Sequence, residues 1–219
     1  MKKGLTELVF ILDRSGSMSG LESDTIGGYN AMLEKQKQEP GEAIITTVLF
    51  DDSYKLLHDR IHINGILPIT DKEYFVRGTT ALLDAVGKTI NKIVNVQRHT
   101  LESEKAEHVM FVITTDGMEN ASKEFDYEKI RTMIEHQKEK YGWEFIFLGA
   151  NIDAISQAAR FGIDKNRATN YTSDSEGTRL NYQIISETIS VMRDNRPISE
   201  DWKKPIEEDI KTRGKRKKQ

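Results

Sequence analysis

The sequence predicts an α/β fold: a Rossmann-like, doubly wound and mostly parallel sheet with one antiparallel edge strand and helices on both faces. Three observations carry that expectation. Continuous apolar runs recur at residues 8–12, 44–50, 109–113 and 145–148, the pattern of strands buried on both faces. Segments with apolar residues at three- and four-residue spacing lie between them, as right-handed crossovers require. Only one strand connection is too short for a crossover.

Leu8 to Leu12 is the first run, and it stops at Asp13. A helix is expected next, although Gly27 and Gly28 fall inside it, each disfavoured by about 1 kcal/mol relative to Ala. Close packing against the sheet or a break in the helix would each account for the pair. Ile44 to Phe50 forms the second strand. Tyr54 to Ile63 follows after only Asp51-Asp52-Ser53, which permits a hairpin but not a crossover, so this is the antiparallel edge. Leu82, Val86, Ile90 and Ile93 mark a helix before the 109–113 strand. Tyr127, Ile130 and Ile134 mark another before the 145–148 strand. A shorter helix opens at Asp153 as its cap and stops at Gly162. Ala168 to Tyr171 supplies a short last strand, and Leu180, Ile184, Thr188 and Val191 a last helix. Residues 1–195 are thus expected to form one α/β domain. Residues 196–219 carry Pro197, Pro205 and a basic run from Lys211, and are expected to form a partly disordered tail.

Composition excludes several classes. Of the 219 residues, 37% are hydrophobic and 31% charged, enough for a buried core under a charged surface and unlike a disordered chain. No stretch approaches the ~20 apolar residues of a membrane span. The Leu8–Leu12 run is too short for a signal-peptide core. With no cysteine, disulfides, thiolate zinc sites, iron–sulfur clusters and cysteine nucleophiles are absent, and cytoplasmic residence is expected. The net charge of −3 conceals nine Lys/Arg against five Asp/Glu from Arg196 onward. The body is therefore acidic and the tail basic.

In a doubly wound sheet, ligands collect at the carboxyl ends of the strands, where the strand order reverses. Three loops expected there carry oxygen donors. Asp13-Arg14-Ser15-Gly16-Ser17 leaves the first strand, Thr114-Thr115-Asp116-Gly117 leaves the 109–113 strand, and Arg77-Gly78-Thr79-Thr80 precedes a helix. Asp13, Ser15 and Ser17 alternate along a loop, so their side chains can point into one cavity. Hydroxyl, carboxylate and water are hard ligands suited to Mg²⁺ or Mn²⁺. Gly16 and Gly117 would let the backbone bend around an ion. An open coordination position would leave the metal able to attract an outside carboxylate.

These residues resemble the von Willebrand factor A domain and its metal-ion-dependent adhesion site (MIDAS). The match consists of Asp13-x-Ser15-x-Ser17, a Thr in Gly-Thr-Thr-Ala-Leu-Leu-Asp-Ala, and Asp116 in Thr-Thr-Asp-Gly, in the family's order along the chain. The resemblance implies that Ser15 and Ser17 coordinate a divalent cation directly. Thr80 would add a third hydroxyl, directly or through water, and Asp13 and Asp116 would act mainly through waters. Thr80 is preferred to Thr79 because the family's Thr lies four residues before the Asp of the next helix, here Asp84. Mg²⁺ is the expected ion, with Mn²⁺ and Ca²⁺ as alternatives. The expected partner is a protein that supplies a Glu or Asp to the metal. Gly20 and Leu21 stand where some adhesion receptors carry paired aspartates, so a second, regulatory metal is not expected. The intracellular bacterial or phage-type members are the nearer comparison.

Other templates fit poorly. Gly87-Lys88-Thr89 would need a glycine at position 82, which is Leu, to form a phosphate loop. Gly-x-Ser-x-Gly and His-Glu-x-x-His are absent. A non-catalytic binding module is therefore expected. A Mg²⁺-dependent hydrolase or phosphoryl-transfer enzyme on a similar sheet and nucleic-acid binding through the basic tail are the alternatives. His58 and His62 are expected on one exposed strand face, Met18 as a packing residue under the first loop, and Glu119 and Asn120 as solvated loop residues.

Overall fold

In the computed structural model, which describes residues 1–216 and the side chains of residues 1–213, the first apolar run lies within a longer strand, β1 (Lys2–Asp13). Successive side chains of a strand point to opposite faces. Leu8, Phe10 and Leu12 accordingly enter one core cluster, and Val9 and Ile11 a second. The other strands are β2 (Glu42–Phe50), β3 (Tyr54–His62), β4 (Ala106–Thr115), β5 (Glu144–Gly149) and β6 (Ala168–Asn170). They form one sheet in the order β3-β2-β1-β4-β5-β6. Only the β2–β3 pair is antiparallel. Its register slips between Ile45 and Thr47 and again between Thr47 and Val48, and Arg60 takes a left-handed backbone with φ 50°.

The helices are α1 (Glu22–Lys37), α2 (Leu82–His99), α3 (Tyr127–Tyr141), α4 (Ala154–Arg160), α5 (Ser175–Arg193) and α6 (Lys204–Arg216). Residues of α1, α5 and α6 cover the Leu8 face, and residues of α2, α3 and α4 cover the Val9 face. The sheet is therefore doubly wound, as the crossover pattern predicts. The glycine pair does not break α1. A Cβ at Gly28 would collide with the ring of Tyr182 on α5, whereas Gly27 has open space; close helix–helix packing, rather than packing on the sheet, explains the second glycine. No helix among the described residues is long and apolar enough to cross a membrane.

Within the segment expected to form a partly disordered tail, the described residues include regular structure. Residues Glu200–Lys203 form a 3₁₀ turn that runs into α6. Trp202, Ile206 and Ile210, spaced by four, lay an apolar stripe on the core, with Ile206 buried. The Trp202 indole Nε1 donates to the Asn166 carbonyl at 2.7 Å. Arg213 Nη1 meets the Asp174 carboxylate at the start of α5 at 2.6 Å. Trp202, Ile206 and Ile210 supply the apolar contacts of the turn and helix, and the surrounding charges mask them in the sequence. Residues 217–219, the end of the basic run, lie outside the described residues.

Candidate metal centre

β1 lies between β2 and β4, and the chain leaves it in one direction and returns on the other side. The loops after β1 and β4 therefore meet at the switch point. Asp13, the last residue of β1, is buried. Its Oδ1 accepts the Ser15 amide at 2.6 Å and its Oδ2 accepts the Thr115 hydroxyl at 2.6 Å. These bonds curl the chain into a 3₁₀ turn, Gly16–Met18, with Met18 buried beneath it as a packing residue. The Ser15 and Ser17 hydroxyls lie 3.0 Å apart.

The third loop adds its hydroxyl through Thr80, which is buried, whereas Thr79 is exposed. A Cβ placed on Gly117 would lie 2.8 Å from Thr80 Oγ1, 2.9 Å from Ser17 Oγ and 3.5 Å from Ser15 Oγ. The three hydroxyls thus surround one small space that a side chain at 117 would fill. Neither Gly16 nor Gly117 has a left-handed backbone. What position 117 requires is room, and the expectation of a tight backbone bend is corrected on that point.

Asp116 completes the group. It is 3% exposed, and neither carboxylate oxygen has a hydrogen-bond partner. Burial pushes its pKa up to about 6; the nearby Ser17 hydroxyl draws it back in part, and the charge of Asp13 pushes it further. Asp13 is also raised by burial, with its bonds to Ser15 and Thr115 opposing the shift. A buried carboxylate without a donor calls for a compensating group. An oxygen-rich space beside two carboxylates fits a hard divalent cation. All five predicted residues (Asp13, Ser15, Ser17, Thr80 and Asp116) come together at this end of the sheet.

Several supporting residues escaped the sequence analysis. Glu119 accepts the amides of Leu83, Ala121 and Ser122 at 2.8, 3.0 and 2.8 Å. The Asn120 side chain accepts the Thr80 amide at 2.9 Å. Asn120 is an exposed loop residue, as expected, and Glu119 is half-buried; together they brace the segment from Thr80 into α2. Asp84 on α2 accepts the amides of Lys123, Glu124 and Phe125 at 2.9–3.0 Å. Burial raises its pKa, and these three donors more than reverse the effect. The available signal was the acid–amide pair Glu119-Asn120, one residue beyond Asp116-Gly117. Buried Arg14 lies 2.9 Å from the wholly buried Asp51 carboxylate, and Tyr74 donates to the Asp13 carbonyl at 2.6 Å. The histidines do not join the site. His58 is half-buried and bonds Thr47 Oγ1 at 3.0 Å, while exposed His62 caps a local turn. No group of three or more His, Cys, Asp or Glu gathers as a metal site among the described residues.

The sheet order, the single antiparallel edge and the helices on both faces are those of the von Willebrand factor A fold. Three solved structures illustrate the likeness. The von Willebrand factor domain of the type V pili tip protein Mfa5 from Porphyromonas gingivalis is 11% identical with a TM-score of 0.58, over 88% of this chain and 97% of that one. Proximal thread matrix protein 1 from the mussel byssus, solved with a zinc-occupied MIDAS motif, is 13% identical with a TM-score of 0.59. That match covers 86% of this chain and 46% of the mussel protein, so the chain spans less than half of the latter's length. The manganese-loaded TRAP protein of Plasmodium vivax is 15% identical with a TM-score of 0.56, over 82% and 72% of the two chains. At such identities the likeness establishes the fold. No known sequence family matches the chain, and no curated protein matches it by sequence.

Proposed function

We propose that this protein is a non-catalytic docking module that holds a divalent cation, Mg²⁺ by preference, and offers it to an acidic side chain of a partner protein. Ser15, Ser17 and Thr80 would bind the ion through their hydroxyls, with Asp13 and Asp116 acting mainly through water. When bound, the ion supplies a Lewis-acidic position that attracts a carboxylate. The observation that carries the reading is the Asp116 carboxylate, buried without a donor beside three hydroxyls that surround one space. The zinc in the mussel protein's MIDAS motif and the manganese loaded into the Plasmodium protein support a divalent ion at the equivalent end of this fold. None of the five histidines lies in the three loops, which favours binding over acid–base catalysis. The absence of cysteine supports a reducing compartment such as the cytoplasm.

Calorimetric titration of chelator-stripped protein with Mg²⁺ and Mn²⁺ tests the metal. Saturable binding near one equivalent is expected for the native chain and is lost in Ser17→Ala. Equal heats from a folded Ser17→Ala would remove the hydroxyl cluster from consideration as the site.

A further inference from the structure

We propose that the docking segment carries two carboxylates: one completes the metal shell and the second is bound by Arg77 beside it. This rests on the docking reading above and adds the chemistry of the partner.

Arg77 is fixed against the first metal loop. Its amide donates to the Arg14 carbonyl at 2.9 Å, and the Gly16 amide donates to the Gly78 carbonyl at 3.2 Å. The two segments therefore run side by side at the mouth of the hydroxyl cluster. The Arg77 guanidinium donates through Nε to Asp51 Oδ2 at 2.7 Å, its only hydrogen bond among the described residues. Both terminal nitrogens remain free, and the side chain is 49% exposed.

An open guanidinium edge and its rigidity favour an anion there. Asp51 already faces buried Arg14 at 2.9 Å, so two guanidiniums share one carboxylate and Arg77 is the outer one. Asp52, whose carboxylate lies 3.2 Å from where a Gly78 Cβ would stand, balances the second guanidinium in charge, but it makes no hydrogen bond to Arg77 and its Oδ1 takes the Ser53 hydroxyl. The half-exposed Phe75 ring lies beside both guanidiniums, 5.2 Å from Arg14 Cζ and 5.9 Å from Arg77 Cζ. Held by Asp51 and this ring, Arg77 has little conformational freedom to lose on binding. Its open Nη edge has the geometry that grips a carboxylate with two parallel hydrogen bonds. A partner with a lone acid would leave this edge unused.

The test selects phage-displayed random heptapeptides on the immobilised full chain in Mg²⁺, with elution by EDTA, for the native protein and for Arg77→Gln. Peptides from the native protein are expected to carry two acids at a fixed separation. Those from Arg77→Gln keep one acid and lose the second. A synthetic two-acid peptide from the native pool binds Arg77→Gln about tenfold more weakly, and its single-acid version binds both proteins alike. Single-acid peptides from both proteins, or the same two-acid pattern from both, would overturn the Arg77 assignment while leaving the metal docking intact. If neither protein yields EDTA-eluted peptides, the docking reading itself falls, and this proposal with it. Melting temperature and Mg²⁺ titration establish that Arg77→Gln is folded with its metal site unchanged. Should it not fold, Arg77→Lys keeps the Asp51 pair but lacks the fork, and loss of the second-acid preference is expected there too.

Discussion

A single hydrogen atom at position 117 keeps three hydroxyls within reach of one space. A Cβ there would press on Thr80 Oγ1 and Ser17 Oγ at 2.8 and 2.9 Å, whereas one at position 16 meets only the Gly78 carbonyl at 3.5 Å, an ordinary contact. Two glycines that look alike in the sequence therefore differ in consequence. Gly117→Ala is expected to fold and to bind Mg²⁺ about tenfold more weakly, because crowding must move the donors; Gly16→Ala is expected to bind as the native chain does. Parallel titrations of the two variants check this, and equal affinities would show that the space beside Gly117 is not where the ion sits.

At the scale of elements, the junction of α5 and α6 carries a pH signature. Asp174 caps α5 by accepting the Gly177 amide at 2.8 Å, and it also accepts Arg213. Burial raises the Asp174 pKa, while the Gly177 amide and Arg213 more than reverse this, so the folded-state value is lowered. A lowered carboxyl pKa contributes stability above its unfolded value of about 3.9. That contribution is lost as pH falls through the folded value. Arg213→Ala is expected to destabilise the chain by about 1 kcal/mol at pH 7, since the Asp174 pair is partly solvated. The difference from the native chain should shrink when both are melted in urea near pH 2.5. A difference that persists at that pH would mean Arg213 acts through packing.

The same junction shows what the sequence could reveal. Strands β1, β2, β4 and β5 stand out as largely apolar runs, and helices α2, α3 and α5 through three- and four-residue spacing, because burial on two faces or along one stripe imposes those patterns. α6 and the turn before it pack through Trp202, Ile206 and Ile210, and that pattern is submerged in charge. Asp13, Ser15, Ser17, Thr80 and Asp116 stood out because oxygen donors recur at expected strand ends. Glu119, Asn120, Asp84 and Arg77 did not, since their partners are backbone amides and a carboxylate brought close only by folding.

For the molecule as a whole, the two raised carboxylates mean that the switch point is destabilising when no cation is bound. Asp116 gives up hydration for no hydrogen bond, so replacing it with a neutral group of the same shape relieves the fold. In chelator, Asp116→Asn is expected to be at least as stable as the native chain, and more stable by about 1–3 kcal/mol at neutral pH. Adding Mg²⁺ should raise the melting temperature of the native chain by mass action and leave that of Asp116→Asn unchanged. A metal-dependent shift in the variant would place the stabilising ion elsewhere.

The borders of the sheet bear on a different hazard. A bare flat strand at the margin invites another chain to add itself, and a chain ending in such strands on both sides could polymerise. Here β6 is three residues long and is packed by α6. β3, at the other margin, is interrupted twice in register and twisted at Arg60. Neither margin presents a long straight ladder of free amides and carbonyls. Both margins thus carry features that disfavour fibre growth and the addition of a visiting polypeptide as a seventh strand, which is consistent with the proposed docking at the strand-end loops.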